Sequence, residues 1–167
     1  GFVLPEPQGD KKALRLKHSL PETGPILGFA SRTLEAMRGF DVFLEVARRL
    51  KELCPDLTVL VLGSEQTLYG NELSYLDGRS FKDHTMELLG LTEDFFIWKD
   101  FLPYDAFHEH LKAMDLILFP LFEGAANWGL FEAMASGVPV IAANRCFVPE
   151  VIEHGENGFL FDPYDLD

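Results

Sequence analysis

The sequence has only two cysteines, Cys54 and Cys146, and their separation fits neither a metal knuckle nor a CxxC redox pair. That excludes a disulfide framework and points to a reducing, cytoplasmic setting. No apolar run approaches the roughly 18 residues a membrane helix needs, so no transmembrane segment is expected. The first ten residues lack the basic start and apolar stretch of a signal peptide. They also lack an initiator Met, and we read the chain as a fragment or a processed form. Basic residues are scarce: 14 Lys and Arg against 27 Asp and Glu give a formal net charge of −13. Without a Lys/Arg cluster, nucleic acid is not an expected partner, and an anionic small molecule would need a locally positive site. The glycine fingerprints of P-loops and dinucleotide sites are missing. So is the G-x-S-x-G elbow of a serine nucleophile. The histidines are scattered, and His108 and His110, two apart on a predicted helix, face different directions; no metal site is expected.

What is present is an ordinary globular domain of 167 residues, 47% hydrophobic and 25% charged, long enough to bury a core. Short apolar runs of strand length occur at 26–30, 58–62, 95–98, 116–119, 138–142 and 158–161. Between them lie helical patterns at 41–53, 81–89, 104–113 and 130–136, and a helical turn at 149–153. Residues 1–7 read as extended, 10–20 as a short helix, and 63–80 as a long polar loop. Regular alternation of strand and helix argues for an α/β domain with a mostly parallel sheet, covered on both faces in a Rossmann-like three-layer arrangement. We assign 25–167 to this domain and 1–24 to a lead-in. Ligands of such folds bind at the carboxyl ends of the strands, so the loops after Ala30, Leu62, Trp98 and Phe119 are the places to look for chemistry.

Two of these loops carry a pattern. The first contains Arg32 and Arg38, whose planar guanidinium forks suit a diphosphate. The same residues read equally well as two solvated arginines, one paired with Glu35. In the segment 119–139, small residues lead into a helix whose free N–H groups and dipole favour an anion, with Asn127 as N-cap. Glu132, about one turn inside, is placed to accept hydrogen bonds from two ribose hydroxyls. A capped helix with an acidic first turn is the plainer reading.

Taken together and in order, these segments resemble the C-terminal domain of the group 1 glycosyltransferases, retaining enzymes with the two-domain GT-B fold. The stretch 26–40 is similar to the family's first strand and basic loop. The stretch 123–140, with Glu132-Ala133-Met134-Ala135-Ser136-Gly137-Val138-Pro139-Val140, resembles its signature. Val148-Pro149-Glu150-Val151-Ile152, followed by Gly155-Glu156-Asn157-Gly158-Phe159-Leu160, resembles its closing segment. The resemblance implies that Arg32 and Arg38 hold the diphosphate of a nucleoside diphosphate sugar, that the backbone of Asn127, Trp128, Gly129 and Leu130 cradles it, that Glu132 binds the ribose, and that Leu102 lies near the base. It implies no metal and no cofactor besides the donor. It places the acceptor site on an N-terminal domain absent from this chain, so the chain alone is expected to be inactive. Cytoplasmic location follows, with any membrane contact made through the missing domain.

Two departures stand out. Glu123 and Glu132 are separated by eight residues, one more than in the usual signature, so Gly124 occupies the strict position of the first glutamate; either the loop bulges by one residue, so that Glu123 still reaches the sugar as the catalytic carboxylate, or that carboxylate is missing. Trp128 also stands where many members have Leu. Five residues separate Arg32 from Arg38, one more than in the commonest form. This longer basic loop, together with Tyr69-Gly70, resembles a sub-branch of the family in which the 63–80 loop is expected to have a role. Two alternatives are a nucleotide-sugar epimerase of similar architecture and a catalytically degenerate domain that binds a sugar nucleotide or a partner.

Overall fold

The structure, a computed structural model, describes residues 11–124 and 127–166. The extended reading of 1–7, and Ala125 and Ala126 of the signature loop, lie outside the described residues. Six strands form the sheet: β1 (Ile26–Thr33), β2 (Thr58–Ser64), β3 (Ile97–Lys99), β4 (Leu116–Phe119), β5 (Val140–Ala143) and β6 (Phe159–Phe161). All pairings are parallel and the order is β3-β2-β1-β4-β5-β6. The connection reverses direction between β1 and β4, which opens a crevice at their carboxyl ends, the usual ligand position in a doubly wound sheet.

Alternation along the strands divides the core in two. Ile26, Ala30, Leu60 and Leu62 face one side, with Ile117 and Phe119. That side is covered by α5 (Tyr104–Ala113), α6 (Trp128–Ala135) and the helical turn α7 (Val148–Val151). Leu27, Phe29, Val59, Val61 and Leu118 face the other side, under α2 (Phe40–Leu53) and α4 (Phe81–Leu89). There Phe43 and Phe40 of α2 meet Phe29 with ring centroids 5.0 and 5.4 Å apart, an aromatic contact that fixes α2 on β1.

The short helix expected at 10–20 is α1 (Lys11–Lys17), and it is docked. Arg15 is buried and donates to the carbonyls of Ala113 and Gly24 and to the Asp115 carboxylate, which also accepts from the Ile26 N–H. Lys11 reaches the same carboxylate at 2.9 Å. The residues between α1 and β1 are thereby tied to the end of α5.

Element positions differ from the sequence reading for identifiable reasons. β1 and β2 run on to Thr33 and Ser64, because Thr33 pairs with Ser64 after an irregularity beyond Ala30. The third strand starts at Ile97, since the Phe95 N–H is engaged by the Thr92 carbonyl in a 3-10 turn (Glu93–Phe95). α6 begins two residues early because Asn127 Oδ1 accepts from the Gly129 N–H and draws Trp128 and Gly129 into the first turn. The regular ladder of β5 starts after Pro139, whose carbonyl still accepts from Ile117. The polar loop 63–80 contains one helical turn, α3 (Glu72–Tyr75).

Candidate functional site

The ends of β1, β2, β3 and β4 converge on one cleft of about 600 Å³. All four loops singled out in the sequence contribute to its wall.

The β1 loop is the most constrained. Past the irregularity, Arg32 is turned outward, while Leu34 and Glu35 are buried. Leu34 N–H donates to Ser64 O at 2.9 Å, so the two strand ends stay zipped. A 3-10 turn (Ala36–Arg38) follows and closes on Gly39, which has φ +71°. Gly39 N–H donates to Ala36 O, and Gly39 O receives the Phe43 N–H that opens α2. The backbone of Gly39 presses on the start of the β4 loop: a Cβ there would lie 1.9 Å from the Pro120 carbonyl oxygen. Met37 O in turn accepts from the Phe122 and Glu123 N–H groups. The basic loop and the signature loop are thus held edge to edge.

Glu35 does not pair with an arginine, as the plainer sequence reading had it. Its Oε1 accepts from three successive backbone N–H groups, Leu68 at 3.1 Å, Tyr69 at 2.8 Å and Gly70 at 2.8 Å, and its Oε2 accepts from the Thr33 hydroxyl. Burial alone would raise the Glu35 pKa, but the hydrogen bonds from Thr33, Gly70, Tyr69 and Leu68 outweigh it and hold the carboxyl below its ordinary value. With the folded value depressed, the stability these bonds give is fully present above the ordinary glutamate pKa and is lost as pH falls through the folded one. Glu35→Gln should therefore destabilise more near about pH 7 than near about pH 4, where protonation has begun to remove the contribution. Urea midpoints of both proteins at the two pH values check this; a gap that does not narrow in acid would contradict it.

Both arginines line the cleft, and Tyr69 stands between them. Arg32 Nη1 donates to the Tyr69 hydroxyl at 3.1 Å, and the Arg38 guanidinium carbon lies 5.0 Å from the Tyr69 ring centre. Arg38 Nε is buried without a hydrogen-bond partner among the described residues. From the β3 loop come Asp100, Phe101 and Leu102, and from α5 Tyr104 and Phe107. Trp98 anchors this side: its indole N–H donates to Gly63 O at 2.8 Å, and the Lys82 ammonium sits 4.9 Å from its ring centre.

At the β4 side, Gly124, Asn127, Trp128 and Gly129 line the cleft. Leu130 is fully buried behind the wall, and its N–H donates to Asn127 O. Glu132 lines the cleft one turn into α6, with Oε1 3.8 Å from His108 Nε2. His108 packs on Tyr104, centroids 4.4 Å apart. Glu123 is exposed and is not part of the wall. In a molecule of net charge −13, the cleft gathers the Arg32 and Arg38 guanidiniums, the N-terminus of α6, and the carboxylates of Glu132 and Asp100. Such a site takes an anion at the guanidiniums and helix N-terminus and hydroxyl donors at a carboxylate.

The family model described as "Glycosyl transferases group 1" matches residues 10–167. The chain belongs to the group 1 glycosyl transferases. It is 30% identical to a D-inositol 3-phosphate glycosyltransferase of Stackebrandtia nassauensis over 164 residues, covering 94% of this chain and 34% of that protein. It is 30% identical to the 2-deoxystreptamine glucosyltransferase of Streptomyces kanamyceticus, covering 77% of this chain and 30% of that protein. The chain therefore spans about a third of the length of these curated relatives. Among solved structures, Anabaena Alr3699/HepE in complex with UDP and glucose superposes with a TM-score of 0.70 at 26% identity, covering 92% of this chain and 38% of that one. The C-terminal domain of the Francisella tularensis group 1 protein LpcC shares the fold, with a TM-score of 0.72 at 22% identity and 94% and 76% coverage. This group 1 domain thus has the Rossmann-like form of its relatives, and among the described residues no helix is long and apolar enough to cross a membrane.

The sequence reading did not assign Tyr69 as an individual side chain, Tyr104 or Phe107 to the site, and it weighed His108 only as a metal ligand. A Tyr-Gly pair in a polar loop was a visible signal for the first. The α5 residues carried none beyond the helical apolar stripe.

Proposed function

We propose that this chain is the donor-binding half of a retaining glycosyltransferase. In this reading the full-length protein moves a hexosyl or related group from a nucleoside diphosphate sugar to an acceptor held by an N-terminal domain. The observation that carries it is the meeting of Arg32, Arg38, the α6 N-terminus and Glu132 around one cleft at the switch point of the sheet. The neighbour solved with UDP and glucose supports the same ligand class.

In this proposal Arg32 and Arg38 bind the diphosphate, with the backbone of Asn127 to Leu130 beside it. Glu132 accepts from the ribose hydroxyls, and the Leu102 backbone reads the base. Negative charge grows on the leaving diphosphate as the glycosidic bond breaks. Fixed guanidiniums and a helix dipole stabilise it without reorganising. These groups supply the charge compensation, so we propose that the donor binds without a metal. Residues 1–24 lead in from the N-terminal domain, 25–167 form the donor domain, and the unpaired Cys54 and Cys146 suit a cytoplasmic setting. Without the acceptor half, the chain binds nucleotide and turns nothing over.

Titration calorimetry of the chain with UDP, GDP and ADP, in buffer containing a chelator, tests this. Saturable heat is expected from at least one of the three; heat from none would overturn the reading. One observation favours a second reading, a domain that binds sugar nucleotide without catalysis: the Glu123 side chain is exposed and off the cleft wall. Unchanged turnover of the full-length protein carrying Glu123→Gln would show that this residue has no catalytic part.

A further inference from the structure

We propose that Tyr69 is a positioning residue for the diphosphate subsite and that Glu35 is the group that holds it there. The loop after β2 thereby acts as a clasp that fixes two cations at a set spacing. The proposal rests on the donor-binding reading above.

Arg32 and Arg38 have long side chains of like charge at one end of the sheet. Left alone they would separate and sample many rotamers, and an incoming diphosphate would have to gather them. Tyr69 engages both by different parts of one side chain. Its hydroxyl oxygen accepts from Arg32 Nη1, and its ring lies against the Arg38 guanidinium. A guanidinium has five N–H donors and two faces. The contact with Arg32 uses one donor and that with Arg38 uses a face, so most of both forks stays open for an anion. Ordering that would otherwise accompany binding is thus completed on folding.

Tyr69 is itself half exposed, so burial does little to confine its side chain. Its backbone does that work. Three successive N–H groups, from Leu68, Tyr69 and Gly70, converge on Glu35 Oε1. Such a concavity of N–H groups is a common anion seat; here the protein's own buried carboxylate fills it. A second tie runs the other way, from the Ala36 N–H to Glu72 Oε1 at 3.1 Å. Glu35 lies between Arg32 and Arg38 in the sequence. One seven-residue stretch therefore carries both cations and the carboxylate that pulls their spacer into place.

The test compares binding of UDP, GDP and ADP, each beside its own nucleoside, to the chain and to Tyr69→Phe, Tyr69→Ala, Glu35→Gln, Glu35→Ala and Arg38→Ala. Tyr69→Ala should weaken the diphosphate about tenfold, the size of one charge-assisted contact, and leave the nucleoside unchanged. Tyr69→Phe keeps the ring but loses the hydroxyl, and should fall between. Glu35→Gln keeps an acceptor for the three N–H groups and should retain most of the affinity at neutral pH, whereas Glu35→Ala should resemble Tyr69→Ala. If Glu35→Ala does not fold, the Tyr69 variants decide alone. An unchanged ratio of diphosphate to nucleoside affinity in Tyr69→Ala, with a clear loss in Arg38→Ala, would overturn the clasp and leave donor binding standing. No loss in Arg38→Ala either would overturn both.

Discussion

The chain carrying Arg32→Ala and Arg38→Ala together is expected to bind UDP about 100- to 1,000-fold more weakly than the unaltered protein. A hydrogen bond from a charged group is worth about 1.5–3 kcal/mol, and two such contacts in a cleft facing solvent come to about 3–4 kcal/mol, at about 1.4 kcal/mol per decade of affinity. The two positions are not equivalent. Arg38 is partly buried, with one edge lacking a partner among the described residues, so its single replacement should account for more of the loss than that of the exposed Arg32. Lysine at position 38 keeps the charge but loses the planar fork, and should recover only part of the affinity. Raising the salt concentration should shrink the difference, because the sites face water. Calorimetry or competition with a fluorescent nucleotide reads all of this. Affinity for UDP, GDP and ADP within about threefold of the original in the double variant would remove the diphosphate assignment.

Alanine at Gly39 is expected to have the largest effect on stability, about 2–5 kcal/mol. The left-handed φ of +71° costs a non-glycine residue roughly 1–2 kcal/mol. The new Cβ would also meet the Pro120 carbonyl oxygen at 1.9 Å, and this atom is backbone, so a loop must move; overpacking of that kind adds about 1–3 kcal/mol. For a domain of this size the sum lowers Tm by roughly 10 °C. Gly90 supplies the control. It too has positive φ, +65°, but a Cβ there meets nothing within 4 Å, so Gly90→Ala should cost only the conformational share, about 1 kcal/mol. Equal losses at the two positions would show that the approach to Pro120 relaxes freely. Because Arg38 precedes Gly39 and Pro120 opens the signature loop, Gly39→Ala should also weaken nucleotide binding in the fraction that stays folded.

The layered, parallel sheet could be read from the sequence because buried parallel strands have a simple signature, whereas the order of its strands came from the structure. Thr58-Val59-Leu60-Val61-Leu62 is apolar on both faces, and the helical stripe of Phe43, Ala47 and Leu50 has one reading. Helix α5 was equally plain, since Pro103 precedes it and its inward face, Phe107 and Leu111, is spaced by four. Phe95 was misleading: its side chain has the composition of a strand, and a local turn at Thr92 took its N–H. Of the site, Arg32, Arg38, Glu132 and Leu102 were visible as types in the right loops, and all four line the cleft. What was not legible was how the loops engage one another. Glu35 looked like a partner for a neighbouring arginine, since sequence favours near pairs. Apart from the Thr33 hydroxyl, its partners lie more than thirty residues away, in a loop whose polar composition gave no hint of where its N–H groups point. Glu123 illustrates the same limit from the other side. Its place was counted from a signature, while in the fold its N–H donates to the Met37 carbonyl of a different loop and its side chain is exposed.

The bonds from Glu35 to residues 68–70 also bear on redesign. A chimera made by exchanging only the segment between β2 and α4 with that of a relative would remove the three N–H groups that Glu35 now holds. The exchangeable module is discontinuous: residues 31–39 must travel with 64–72 for a graft to arrive with its arginines in place.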